Sequence, residues 1–76
     1  MIWYEMVEGE HGNDYENVGD YRSLAKALKI AKKSKQPYVR VDKFVGEWSK
    51  DGGYDGDYFD TVYEKFPNGK IMEVTI

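Results

Sequence analysis

The 76 residues predict one α+β domain, residues 1–76, in which a single helix packs on one face of a small, mainly antiparallel sheet. Three observations predict this class and the element order β-α-β-β-β. Helical spacing of apolar residues occurs only within Ser23–Lys35. The other apolar residues form short runs rich in valine and aromatic side chains, which are typical of strands. A Pro-Asn-Gly turn joins the last two runs, and so short a turn makes neighbouring strands antiparallel.

The N-terminal run Ile2–Val7 predicts the first strand, because aromatic and branched residues dominate it. Its two faces would be Ile2, Tyr4 and Met6 on one side, and Trp3, Glu5 and Val7 on the other. Both faces are partly apolar, so the sequence leaves the inner one undecided. The next segment, Gly9–Asp20, predicts a loop because three glycines and two asparagines interrupt any regular spacing.

The predicted helix carries two stripes of opposite character. Its apolar stripe, spaced for one helical face, is Leu24, Ala27, Leu28 and Ala31. Its basic stripe, on the other side, is Arg22, Lys26, Lys29 and Lys33. Ser23 is the preferred N-cap and Asp20 the alternative, and Pro37 cannot continue a helix. We expect Leu24, Leu28 and Ala31 to pack on Val39, Val41, Val62 and Val74.

Two strands are predicted after the helix, with a glycine-rich acidic loop between them. The first, Tyr38–Val45, alternates valines with a mixed face of polar and aromatic residues. The loop would span Gly46–Gly56, and the next strand Asp57–Phe66.

The last strand, Ile71–Ile76, follows a turn in which Gly69 takes the left-handed conformation. If Phe66 pairs with Lys70, Val62 lies opposite Val74. The inner face of this hairpin is then Val62, Met72, Val74 and Ile76, and the outer face is Phe59, Thr61, Tyr63, Lys65, Ile71 and Thr75. One helix cannot cover both sheet faces. We therefore expect the far face, with Phe59, Tyr63, Trp3 and Phe44, to stay open unless a partner or a second copy of the chain covers it as a homodimer.

Charge is unevenly distributed, although the net charge is only −3. Residues 1–20 hold six acids and no Lys or Arg, residues 22–35 hold six bases and no acid, and residues 42–64 hold seven acids and two bases. The absence of cysteine and of a long apolar run predicts a cytoplasmic protein that does not enter the membrane.

Catalytic signatures are lacking. The single histidine, His11, lies in a polar segment without companion ligands, no serine lies in a nucleophile-elbow context, and no phosphate-binding loop is present. We therefore expect no enzyme activity, no cofactor and no metal site.

The acidic and aromatic segment Glu47–Asp60 allows three interpretations. A calcium loop fits poorly, because Gly53 and Val62 occupy positions that need oxygen ligands. A mobile loop without a role is the second interpretation. We favour the third, a surface for a protein partner, because Trp and Tyr are enriched at interface centres and carboxylates suit a basic groove. The predicted contact residues are Trp48, Tyr54, Asp55, Asp57 and Tyr58.

The basic stripe supplies the alternative function, a small nucleic-acid-binding domain. Arg22, Lys26, Lys29 and Lys33 could follow a phosphate backbone, or an aromatic sheet face could bind bases. The plainer interpretation is a solvated helix face. We rank nucleic acid below a protein partner, since acids flank the helix on both sides.

The helix Ser23–Lys33, the strand Tyr38–Asp42 and the hairpin that follows resemble the layout of small phage-encoded proteins, including certain anti-CRISPR inhibitors. The resemblance covers most of the chain as size and layout, without a shared motif. It implies a short, non-catalytic inhibitor that docks on a nucleic-acid-handling complex.

Overall fold

The computed structural model describes residues 1–49 and 53–74, without the side chains of residues 48, 49 and 54. In this part of the chain, five antiparallel strands form one sheet in the order β2-β1-β3-β4-β5, and one helix packs on it. The elements are β1 (Ile2–His11), β2 (Asp14–Tyr21), α1 (Leu24–Lys33), β3 (Tyr38–Ser49), β4 (Gly53–Lys65) and β5 (Ile71–Glu73). The α+β class is therefore confirmed, and the predicted elements occur in the predicted order.

The predicted loop Gly9–Asp20 is wrong, because most of it forms a strand that was not predicted. β1 continues beyond its expected end, and β2 returns antiparallel to it with Tyr4 opposite Tyr21. Only Gly12 and Asn13 form the turn between them. Two register shifts on this hairpin break the two-residue alternation, which is why the sequence did not look like a strand.

The helix begins at the predicted cap. The Ser23 hydroxyl accepts a hydrogen bond from the Lys26 amide at 3.3 Å, which satisfies one of the free amides of the first turn. After the helix, the Ser34 hydroxyl donates to the Glu8 carboxylate, and the Ser34 carbonyl accepts from the Lys65 ammonium. The end of α1 is thus tied to both β1 and β4.

The main core lies between α1 and the sheet. Ala27 and Ala31 are completely covered and pack in one cluster with Val39 and Val41. The larger residues of the apolar stripe, among them Leu28, pack against this cluster but remain partly exposed. The cluster also resolves the undecided face of β1, since its members include Tyr4 and Met6.

Two register shifts in β4 alter which residues face the helix. Val62 lies at one shift and Phe59 at the other, and neither has a direct partner in β3. As a result Val62 and Tyr63 both enter the core beneath α1, although strict alternation would separate them. The predicted outer-face positions of Tyr63, Phe59 and Lys65 are therefore wrong, since Tyr63 lies opposite the buried Val41 and Lys65 opposite the buried Val39. Phe59 lies on the helix side, where the Lys43 ammonium sits 4.8 Å from its ring centre.

The β4–β5 hairpin has the predicted register. The Phe66 amide donates to the Lys70 carbonyl at 2.8 Å, and the Val74 amide donates to the Val62 carbonyl at 2.9 Å. Gly69 has a φ of 89°, the left-handed conformation that closes the turn.

The predicted burial on β5 is wrong, however. Met72 and Val74 are 53% and 45% exposed on this short edge strand. Val74 therefore does not join the predicted packing with the helix. The predicted faces of Ile71 and Met72 are also exchanged, because Ile71 lies opposite Lys65 on the helix side and Met72 lies opposite Glu64 on the other side. Thr75 and Ile76 lie outside the described residues.

The sheet face opposite α1, which we call the far face, is not the open surface that was predicted. Two aromatic rows lie across it, the first formed by Trp3, Phe44 and Tyr58, and the second by Tyr15, Tyr38 and Phe66. Neighbouring ring centres within a row are 5.8–6.2 Å apart. Trp3 and Tyr38 are only 2% and 1% exposed, because side chains of the same face cover one another.

Candidate interaction surface

The end of the β3–β4 hairpin extends beyond the rest of the sheet. β1 accompanies β3 only as far as Ile2, which pairs with Val45, and β5 reaches β4 only as far as Val62. Gly46 still exchanges two backbone hydrogen bonds with Met1. Beyond Gly46, in the described chain, residues 47–49 and 53–55 pair only with each other. We call the outer part of this hairpin, residues 46–49 and 53–60, the acidic ribbon. Its residues 57–60 still lie beside the three-stranded part of the sheet, since Asp57 pairs with Val45 and Asp60 with Lys43.

The predicted loop Gly46–Gly56 is wrong in its extent, because strand pairing continues until Ser49 meets Gly53. Gly46 and Gly56 lie opposite each other, and a Cβ atom added to Gly46 would approach the Gly56 Cα to 2.4 Å. Glycine at both positions therefore allows a close approach of two backbones. The same glycines made the segment look like a loop in the sequence.

The ribbon carries four exposed carboxylates: Glu47, Asp55, Asp57 and Asp60. Alternation from the buried Val41 puts Glu47 on the helix side, and Asp55 lies directly opposite it. Like charges placed opposite each other across two strands destabilise the pair. Among the described side chains, none of the four carboxylates has a cationic partner at ion-pair distance. The ribbon therefore concentrates negative charge that no ion pair of the described side chains neutralises.

The predicted contact residues do not share one face. Asp55 and Asp57 lie on the helix side, whereas Tyr58, 55% exposed, ends the first aromatic row on the far face. Trp48 is the register partner of Tyr54, and the side chains of both lie outside the described ones. The sequence located the segment but not this division, because a strand separates alternate residues and a loop does not.

Three exposed apolar residues at the base of the ribbon form a surface that the sequence did not predict, although Phe59 was expected to be exposed on the other face. Ile2, Val45 and Phe59 are 45%, 41% and 64% exposed on the helix side of the sheet, and we call them the uncovered patch. Alternation along β1 and β3 had assigned Ile2 and Val45 to apolar strand faces. The only sequence signal against their burial is the shortness of the helix, which has 10 residues.

A polar belt separates the two aromatic rows on the far face. Asp42, 6% exposed, accepts hydrogen bonds from Arg40 Nε and Thr61 Oγ1, each at 2.8 Å. The Arg40 guanidinium also lies 4.6 Å from the ring centre of Tyr15. No buried side-chain nitrogen or oxygen in the described part lacks a hydrogen-bond partner. These groups therefore hold strands together and leave no free reactive atom.

Arg40 and Tyr38 have shifted pKa values, and the Tyr38 hydroxyl accepts a hydrogen bond from Arg40 at 3.3 Å. Burial raises the pKa of the Tyr38 hydroxyl, and the hydrogen bond that it donates to Glu64 raises it further, while Arg40 opposes the shift. Burial alone would lower the pKa of Arg40. The side chains of Tyr15, Tyr38 and Asp42 outweigh this effect, so the pKa of Arg40 is raised and its charge is secure.

The basic stripe of the helix is exposed as predicted. Arg22, Lys26, Lys29 and Lys33 all face solvent, and the last three line a shallow depression of about 550 Å³ on α1. Among the described side chains, none of the four forms an ion pair. Lys32, outside the stripe, pairs with Glu73 at 3.0 Å.

The remaining site candidates from the sequence have no ligand geometry. The ring of His11 is exposed, and its Nδ1 accepts a hydrogen bond from the Asn13 amide at 3.1 Å. A calcium loop in Glu47–Asp60 would take its ligands from Asp51, Asp55 and Asp57. Asp55 and Asp57 lie on a strand, and Asp51 lies outside the described residues. In residues 1–49 and 53–74, no group of three or more His, Cys, Asp or Glu side chains is arranged to hold a metal ion.

Comparisons of the chain with protein-family models, with curated proteins and with solved structures give no match. The single described helix is too short and too polar to cross a membrane.

Proposed function

We propose that this chain is a non-catalytic interaction protein, a small inhibitor that docks its acidic ribbon on a basic or nucleic-acid-binding surface of a partner protein. The observation that carries the proposal is the uncompensated charge of the ribbon, above all Glu47 directly opposite Asp55. A cationic partner would relieve this repulsion. The predicted anchors Trp48, Tyr54 and Tyr58 lie on the same segment.

The spacing of the carboxylates suits such docking. Opposite residues of two strands are separated by about 5 Å, and alternate residues of one strand by about 7 Å. Glu47, Asp55 and Asp57 therefore form a compact group that several Lys or Arg side chains can contact at once. Attraction between opposite charges mainly raises the association rate, and salt weakens it.

The test compares two double substitutions that alter net charge equally. Asp55→Lys with Asp57→Lys reverses the ribbon, and Asp14→Lys with Glu16→Lys reverses two exposed acids on β2. Proteins captured from a lysate of the source cells by wild type would be identified, purified and measured by surface plasmon resonance. We expect the ribbon variant to associate about tenfold more slowly or worse at low salt, and the β2 variant to resemble wild type. Equal behaviour of the two variants would contradict the proposal.

Nucleic-acid binding is the second candidate, favoured by the exposed and unpaired basic stripe. Fluorescence anisotropy with a short DNA duplex and a single strand would measure it. Arg22→Glu with Lys26→Glu removes half the stripe, and Lys35→Glu with Lys70→Glu is the charge-matched control. We expect no binding near physiological salt. Salt-dependent binding lost only in the first variant would rank this function above the inhibitor.

A further inference from the structure

We infer that the partner presents a basic amphipathic helix, whose apolar side chains pack on the uncovered patch while its Lys and Arg residues contact the carboxylates of the acidic ribbon. This inference rests on the proposed function. It adds the class of structure that docks and an apolar half of the surface that charge alone does not provide.

The uncovered patch exists because α1 begins only above Tyr4 of β1, while the sheet continues past this point to Ile2. Ser34, just after the helix, is bonded to Glu8, and the helix begins soon after Tyr21, which lies opposite Tyr4. Ten helical residues span about 15 Å, roughly the length of the β1 segment between Tyr4 and Glu8. Ile2 lies beyond that segment, so this end of the helix side has no cover.

The composition of the patch and its surroundings matches a protein interface. Ile2, Val45 and Phe59 form an apolar centre, with Asp57 opposite Val45 and Asp60 opposite Lys43 in the strand register. An apolar centre with a polar rim is typical of docking surfaces. The rim here is dominated by one sign of charge, so the occupant should combine apolar side chains with cations.

The ring of Phe59 already receives one cation on its face. The Lys43 ammonium lies 4.8 Å from the ring centre, and the side chain of Phe59 is otherwise 64% exposed. Aromatic faces attract ammonium and guanidinium groups by electrostatics. The basic helix of a partner can therefore contact Phe59 with the methylene groups of its Lys and Arg side chains as well as with its apolar residues.

Other occupants fit less well. Nucleic acid would be repelled by the ribbon carboxylates. An added strand would have to follow the free edge of β4, where the register shifts at Phe59 and Val62 interrupt regular pairing. A second copy of the chain cannot supply the helix, because the apolar stripe of α1 is already packed against its own sheet.

The first experiment uses the full chain, labelled with ¹⁵N, and a synthetic helical peptide of Leu and Lys in amphipathic order. A peptide of the same composition, scrambled so that its leucines share no face, is the control. We expect saturable shifts of the amide signals of Ile2, Val45, Asp57 and Phe59 with the ordered peptide only. Equal binding of the scrambled peptide, no saturable binding, or shifts confined to the far face would overturn the inference.

The second experiment separates apolar packing from charge. Ile2→Ser with Phe59→Ser keeps every charge, and Ile71→Ser with Met72→Ser removes equally exposed apolar residues from β5. We expect the first variant to bind the ordered peptide about tenfold more weakly or worse, and the second within about twofold of wild type. If the amide spectrum of Ile2→Ser with Phe59→Ser shows that this variant does not fold, Val45→Thr is tested in its place.

The outcomes distinguish the two proposals. If the patch variant binds the peptide like wild type, while reversal of Asp55 and Asp57 still abolishes binding of the captured partner, the helix-docking inference fails and the inhibitor proposal stands. If charge reversal leaves both the peptide and the partner bound as in wild type, both proposals fail.

Discussion

Gly9 illustrates how a single residue can determine the pairing of three strands. It lies on β1, opposite Tyr15 on one side and Tyr38 on the other. The two tyrosine rings meet with their centres 5.9 Å apart, a contact that crosses a position without a side chain. A Cβ atom on Gly9 would lie 2.1 Å from the Asp14 carbonyl oxygen and 2.6 Å from the Tyr15 Cα. Both atoms belong to the backbone, so they cannot rotate away.

We predict that Gly9→Ala lowers the free energy of unfolding by roughly 1–3 kcal/mol, because β2 must shift to admit the methyl group. Gly12→Ala is the matched control: its Cβ would meet nothing closer than 3.9 Å, so the change should be within about 0.5 kcal/mol. Urea unfolding followed by circular dichroism measures both. An equal loss of unfolding free energy in the two variants would contradict the prediction that the close backbone approach makes Gly9→Ala costly.

At the scale of the element, α1 packs through its smallest side chains. Ala27 and Ala31 are 0% and 1% exposed, whereas Leu28 remains partly exposed. Leu24 and Leu28 pack against the core as predicted, but the alanines are buried more deeply than the leucines. The alanines belong to the buried cluster with Val39 and Val41, and the leucines pack against the outside of this cluster.

We predict that Ala27→Leu destabilises the protein by about 1–3 kcal/mol, because the added atoms have no space between helix and sheet. Ala25→Leu introduces the same side chain on the exposed side of the same helix, where the effect should stay within about 0.5 kcal/mol. Thermal unfolding of both variants gives the comparison. A wild-type melting temperature for Ala27→Leu would show that the helix can move away from the sheet at little cost.

At the scale of the whole molecule, the two sheet faces are covered in different ways. α1 covers the helix side, and the far face covers itself with two aromatic rows and the polar belt between them. Tyr38 contributes its ring to the second aromatic row, and its hydroxyl donates a hydrogen bond to Glu64. Its protonation state therefore affects the contacts of its hydroxyl with Glu64 and Arg40.

We predict an alkaline loss of stability that depends on Tyr38. Its folded-state pKa is raised above the value of about 10 in the unfolded chain, so the folded protein binds this proton more tightly. The resulting stabilisation is fully present below pH 10 and is lost as the pH rises through the folded-state pKa. Urea unfolding of wild type and Tyr38→Phe across this range measures the difference, which should narrow with rising pH. A constant difference would contradict the prediction.

The sequence by itself determined the features that depend on neighbouring residues. Ser23 caps the helix through an amide three residues later, and Gly69 closes a turn through its own φ angle. The register of the β4–β5 hairpin follows from that turn, since a turn of given length leaves the strands one way to pair. The α+β class followed from the single helical period among strand-like runs. The acidic segment of the candidate surface was also visible, because charge needs no fold to be counted.

Only the tertiary structure decided the features that depend on distant residues. β2 is a strand because β1 pairs with it, and the ribbon is paired because Gly46 and Gly56 let two backbones approach. A register shift in β4 lets the neighbours Val62 and Tyr63 share the helix side, against the alternation of a regular strand. The uncovered patch depends on where a ten-residue helix begins above a longer sheet. Each of these is set by contacts between segments far apart in the chain, and local patterns carry no information about where such contacts stop.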